Sequence, residues 1–212
     1  MQFFYLFGRK KAVMYSSGKK TYVLLFCLWF AKWTAAQYYQ VQLYQVEQGL
    51  PTNISKSIIQ DRYGFAWIAG DAGMVRFDGK SFLHFKNALS SDYTKHIIRR
   101  ENGDILVAHD KGVTKIVCRP DTVNFQDLFP DTQRNSIVAP KRLYEDRRKR
   151  LWIGQDQAIA CLLPNGKLVH YPFPLTERTT SWNRSFSFAE TIDGSLYVAS
   201  QRGHLFRFDE HS

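Results

Sequence analysis

The sequence predicts an all-β chain, a β-propeller of four-stranded antiparallel blades with about four blades present, as a partial propeller. Three observations carry this. A grammar of turn, strand, turn, strand, turn recurs four times along the chain. Its large apolar residue, at Trp67, Leu106, Trp152 and Tyr197, returns at steps of 39, 46 and 45 residues, and six residues further on lie Gly73, Gly112, Ala158 and Gly203. Four short strands in a unit of this length is the arithmetic of a propeller blade. Composition agrees, because 15% of the 212 residues are aromatic and β-branched residues are frequent, which favours strands over a helical bundle.

Residues 1–36 read as an N-terminal extension and export signal. Lys19 and Lys20 precede the apolar run from Thr21 to Ala31, and Thr34, Ala35 and Ala36 form a small-residue site ahead of Gln37. A basic region, a short apolar region and a small-x-small ending describe a secretory signal cleaved after Ala36, and the run is too short to span a bilayer as a helix. A start at Met14 would give a leader of 23 residues, the more usual length. The expected location is periplasmic or extracellular, by cleavage or through an uncleaved anchor.

The leader also accounts for much of the charge. The formal balance is +10, but residues 1–36 hold six basic residues and no acidic one, so 37–212 keep 23 basic against 19 acidic residues. No basic stripe with interleaved aromatics remains, and nucleic acid is not an expected partner. Cys118 and Cys161 fall in apolar strand-like stretches of different repeats and read as two buried free thiols. No cysteine or histidine spacing suits a structural zinc, and neither a metal nor a cofactor is expected.

Residues 37–212 form the propeller region, with blades at about 53–86, 95–128, 138–173 and 185–212 and a lone alternating strand at 38–46. In the first unit the strands are expected at Ser57 to Gln60, Phe65 to Ala69, Gly73 to Phe77 and Lys80 to Phe85. Turns at Asp78-Gly79, Asn102-Gly103, Asn165-Gly166 and Asp193-Gly194 carry the dipeptides of tight hairpins. Gly64, Gly73, Gly103, Gly112, Gly194 and Gly203, with Trp67 and Trp152, are read as repeat scaffold, the two Trp residues filling contacts between neighbouring blades. Lys149 and Ala158 replace turn glycines in the third unit, and Leu106 replaces the Trp in the second.

The stretch Gly49-Leu50-Pro51-Thr52-Asn53-Ile54, followed by Ile58-Ile59-Gln60-Asp61, Gly64, Trp67-Ile68, Gly73, Phe77-Asp78-Gly79 and Phe82, resembles the two-component regulator propeller repeat. The resemblance runs from about residue 38 to the C-terminus. It implies the periplasmic sensor region of a hybrid two-component system of the kind abundant in Bacteroidota, hence a role in signal transduction and carbohydrate sensing. It also implies as partners the remaining propeller blades or a membrane histidine kinase. The fourth unit stops before its outermost strand, which leaves two readings open: a truncated sensor with about four of seven or so blades, or a four-bladed ring closed by the 38–46 strand. Failing both, a partner would cover the open edge.

By propeller convention, the loops between second and third strands share a face with the blade connections. That face would present Asp71, His109, Asp110, Lys111, Asp156, Gln157, Gln201 and Arg202, a polar set suited to an oligosaccharide or other polar ligand. On the blade connections, Tyr93, Phe125, Phe129 and Trp182 would either stack on sugar rings or pack back on the blades. The run Arg147-Arg148-Lys149-Arg150 sits at a hairpin turn and would be a solvated turn or an anion contact. No catalytic set emerges: the six histidines are scattered, and Asp61-x-x-Gly64-x-x-Trp67 is one residue too long for an Asp-box. The expected function is therefore an exported ligand-binding sensor module without its own output domain, and not an enzyme. The alternatives are a carbohydrate-active propeller hydrolase or lyase, or a non-functional fragment of a larger receptor.

Overall fold

The computed structural model describes residues 39–85, 87–129, 136–173 and 185–209. The expected leader (1–36), Trp182 and His211 lie outside them. The chain divides after Leu43. In the first unit, residues 39–43 form no strand; the second unit, from Tyr44, holds every strand described.

Fifteen strands build four antiparallel sheets. The first sheet holds β1 (Ser55–Gln60), β2 (Ala66–Gly70), β3 (Gly73–Phe77) and β4 (Phe82–His84). The second holds β5 (Thr94–Arg99), β6 (Ile105–His109), β7 (Gly112–Cys118) and β8 (Val123–Asp127). The third holds β9 (Arg142–Glu145), β10 (Leu151–Gly154), β11 (Ala158–Leu162) and β12 (Leu168–Pro172). The fourth has three strands among the described residues, β13 (Phe186–Glu190), β14 (Leu196–Ser200) and β15 (Leu205–Phe208). Each sheet is an up-and-down meander, and the first strands touch in succession, β1 against β5, β5 against β9 and β9 against β13. These are the blades of a propeller, with the first strand of each innermost.

The expected lone strand does not form. Residues 39–45 pair with no strand among the described residues, and Val46–Gln48 make a 3-10 turn. Side chains tie this segment down in place of a ladder: Gln48 Oε1 accepts from Gln45 N at 2.8 Å, and Asn53 Oδ1 accepts from Val46 N at 3.0 Å. The Tyr44 ring meets Phe77 and Phe82 edge-on, with centroids 5.0 and 5.7 Å apart.

The repeat register is met residue by residue. Trp67, Leu106, Trp152 and Tyr197 stand opposite Ile59, Ile98, Tyr144 and Ala189, the same position in each innermost strand. The apolar side chains then form three cores, each between consecutive blades. Trp67, Ala69 and Met74 of the first blade pack with Ile97, Ile105 and Ile116 of the second. Leu106 and Val113 pack with Leu143, Leu151 and Ile153 of the third. Trp152, Ile159 and Phe173 pack with Phe186, Leu196 and Val198 of the fourth. Burial between blades is the main stabilising term of the fold, since one blade alone has two apolar faces to cover.

The turn glycines have a conformational reason where φ is positive. Gly64, Gly103 and Gly194 take φ of 91°, 88° and 85°, and Lys149 takes the same left-handed backbone at 63° in the third blade. The repeat keeps its turn there without its glycine, at the cost of a strained lysine.

Candidate functional site

Two places gather polar side chains against the innermost strands. The first is the face carrying the β2–β3 type turns. There, Lys56, Lys95 and Lys141 each pair with the aspartate fifteen residues later, Asp71, Asp110 and Asp156. Lys95 Nζ lies 3.0 Å from Asp110 Oδ1, and Lys141 Nζ lies 3.3 Å from Asp156 Oδ1. Lys56 and Lys95 sit where a register shift interrupts the β1–β2 and β5–β6 ladders. Such bulges re-aim a side chain at a sheet edge, here toward the turn. The fourth blade has Phe186 and Gln201 at these positions, and Phe186 is buried against Gly154, where a Cβ would meet its ring at 2.5 Å.

Tyr93 stands between two of these pairs. Its ring centroid is 3.8 Å from Lys56 Nζ and 3.7 Å from Lys95 Nζ, and Lys56 Nζ also donates to Thr94 O at 3.2 Å. Cation–π contact and ion pairing thus use the same two ammonium groups. The Asp156 carboxyl is pushed up by burial and held back by Lys141.

Of the residues expected on this face, Asp71, Asp110 and Asp156 are there, engaged by lysines of their own blades. Arg202 is half-buried and also engaged. His109 differs: it is buried inside the second blade, because its ring answers neighbouring polar groups instead of solvent. Its Nδ1 accepts from Lys111 N at 3.3 Å and its Nε2 lies 2.9 Å from Thr114 Oγ1. Burial holds the imidazole below its usual range. Of the aromatics, Phe129 is buried in the second core and Phe125 packs on Phe85 at 5.2 Å; Tyr93 stays exposed.

The second place is an open cavity of about 370 Å³ walled by the innermost strands of the second, third and fourth blades. β5 contributes His96 and Arg99, β9 contributes Arg142, Tyr144 and Glu145, and β13 contributes Phe188. Tyr144 and Phe188 stack in parallel, with centroids 5.5 Å apart and planes at 2°. His96 Nδ1 accepts from Leu143 N at 3.2 Å across the blade junction, just as Ser57 Oγ accepts from Ile97 N at 3.3 Å one junction earlier. Burial, with Arg142 beside it, drives the His96 pKa down to about 3, so the ring is neutral.

The basic run at 147–150 is engaged both across blade junctions and within its own turn. Arg147 N donates to Glu190 at 3.1 Å, Lys149 pairs with Glu101, and Arg150 Nε meets Asp146 Oδ2 at 2.5 Å. Arg100 Nε reaches Glu145 Oε1 at 2.7 Å in the same fashion.

Sequence reasoning missed the lysine partners and the cavity. The lysines had a readable signal, the constant spacing to the three aspartates. The cavity had none, because one structural position is Ser at 57 and 187, His at 96 and Arg at 142, three different chemistries with no shared pattern.

No family model matches the sequence, and no curated protein matches it. Solved structures do. The extracellular domain assigned to the hybrid two-component system BT3049 of B. thetaiotaomicron superposes with a TM-score of 0.67 at 18% identity, covering 82% of this chain and 24% of that one. The corresponding domain of BT4673 from the same organism gives 0.60 at 21% identity, covering 76% and 23%. This chain has the fold of those sensor propellers. It spans about a quarter of their length. Enzymes share the architecture too: the gluconolactonase XC5397 of Xanthomonas campestris gives 0.55 at 14% identity, covering 82% of this chain and 62% of that one.

Proposed function

We propose that this chain is the ligand-reading propeller of an exported sensor, and that it binds a polar ligand, an oligosaccharide by our reading, without transforming it. The observation that carries the reading is the cavity between the three innermost strands, which joins a stacked aromatic pair to polar side chains from successive blades. Such a concave mix of aromatic surface and a few fixed polar groups suits a ligand that must be oriented. The shared fold with extracellular domains of hybrid two-component systems supports a sensing role. The buried, hydrogen-bonded state of His96 and His109 supports binding over turnover, since neither imidazole is presented as an acid or base.

The test is calorimetric titration of the full chain with a panel of neutral and charged oligosaccharides, with chromatography of the sugars afterwards. Saturable binding with the sugar recovered intact is expected. No binding to any member would overturn the reading, and recovery of a cleaved or rearranged sugar would replace it with an enzyme.

A further inference from the structure

We infer that the cavity between the innermost strands selects an anionic saccharide, recognised through Arg99 and Arg142; this rests on the ligand-binding reading above. Among the described residues, the arginines and lysines near the blade junctions are mostly engaged: Arg100 with Glu145, Arg147 with Glu190, Arg150 with Asp146, and Lys56, Lys95 and Lys141 with their aspartates. Arg99 and Arg142 are different. Both are exposed, both line the cavity, and neither guanidinium makes a side-chain hydrogen bond or ion pair with a described residue.

The carboxylates that could neutralise them are already taken. Glu145 lines the same cavity but is held by Arg100 at 2.6 Å, and Glu190 accepts from the Arg147 backbone at 3.1 Å. The cavity thus carries two uncompensated guanidinium groups, the side chain best matched to carboxylate or sulfate through paired N–H donors.

Their spacing bears on the ligand's size. Arg142 flanks the contact between His96 and Leu143, whereas Arg99 lies three residues further along β5, about 10 Å of strand away. Two cationic positions offset along a cleft fit a chain bearing repeated anionic groups better than one small ion. The stacked Tyr144 and Phe188 rings add an apolar surface for the faces of the sugar rings.

The experiment compares trigalacturonate, the neutral galactose trimer and inorganic sulfate as titrants of the full chain at low and moderate salt. Trigalacturonate is expected to bind tightest and to weaken as salt rises. Arg99→Gln and Arg142→Gln should each weaken it about tenfold, as loss of a charge-assisted contact does. Because both side chains are exposed, the variants should keep the wild-type melting temperature, which checks folding. Equal affinity for the neutral trimer, unchanged affinity in the double variant, or sulfate binding as tightly as the trimer would each overturn the proposal. Binding of the neutral trimer alone would sink this inference and leave the ligand-binding reading standing; binding of neither trimer would sink this inference, and the ligand-binding reading falls only if the whole oligosaccharide panel also fails to bind.

Discussion

Asp146 Oδ2 accepts the indole N–H of Trp152 at 2.8 Å, and Asp61 Oδ2 holds Trp67 at the same distance. Each carboxylate is buried and also closes its hairpin turn, Asp61 Oδ1 accepting from Tyr63 and Phe65 N, Asp146 Oδ1 from Arg148 and Arg150 N. One side chain thus fixes the turn geometry and the rotamer of the core tryptophan. Removing it strands an indole N–H and two backbone N–H groups.

Asp61→Ala is therefore expected to destabilise the fold by about 3 kcal/mol, the scale for breaking a buried charged hydrogen-bond network. Trp67→Ala, with the indole fully buried, should cost about 3 to 5 kcal/mol. Urea unfolding followed by fluorescence and circular dichroism checks both. A change under 1 kcal/mol for either would mean the network does not hold the blade.

Lys149→Gly should stabilise the protein by about 1 kcal/mol. The residue carries a left-handed backbone that glycine adopts without strain, and its ion pair with Glu101 is exposed. The opposite change, Gly103→Ala at φ of 88°, should destabilise by a similar or larger amount. Melting temperatures of the two variants should move in opposite directions.

Stability should fall as pH drops from about 6.5 toward 3. The His96 pKa is lowered in the folded state from 6.5 to about 3, and burial lowers that of His109 as well. Across that window the unfolded chain binds protons that the folded chain refuses, so stability rises with pH and is fully present above the unfolded value. His96→Asn keeps an acceptor for Leu143 N and should flatten the melting-temperature profile between pH 6.5 and 5, above the range where carboxylates titrate. A profile identical to wild type would show that His96 is protonated in the folded protein.

The lysine–aspartate pairs should differ in worth according to burial. Lys95→Ala leaves Asp110, whose side chain is 45% exposed, and should cost under about 1 kcal/mol. Lys141→Ala leaves the more buried Asp156, at 15%, and should cost about 3 kcal/mol. Chemical denaturation of the two variants in parallel tests the ranking.

Cys118 and Cys161 should resist thiol reagents in the native state. Both are free and buried, and desolvation pushes their thiols up to about 11 and about 12. In a Cys27→Ser background, a chromogenic disulfide at pH 8 should react with neither before urea is added and with both afterwards.

Much of the fold was legible because the repeat encodes it locally. The Gly residues with positive φ, the Trp positions and the hairpin dipeptides all fell where the spacing put them, since a turn needing φ above zero leaves few residue choices. The segment 38–46 misled because alternation alone does not supply an edge to pair with. His109 misled for a related reason: its place beside a turn suggested exposure, whereas the side chain of a strand-terminal residue folds inward when Thr114 and the Lys111 N–H wait for it. The cavity was illegible, because Arg99 and Arg142 come from strands 43 residues apart and converge only when the blades stack.

The way each blade covers the one before it makes stability a shared property along the stack. Ile97 and Leu143 are 1% exposed because a preceding blade covers them, while Ile58, at the same position in the first blade, is 66% exposed. At the far side, Leu205 is 68% exposed where Met74, Val113 and Ile159 are buried. A chain of this kind behaves as a row of coupled units, each worth more in the middle than at an end. Amide exchange should accordingly be slowest in β6, β7 and β10, whose blades are covered on both sides.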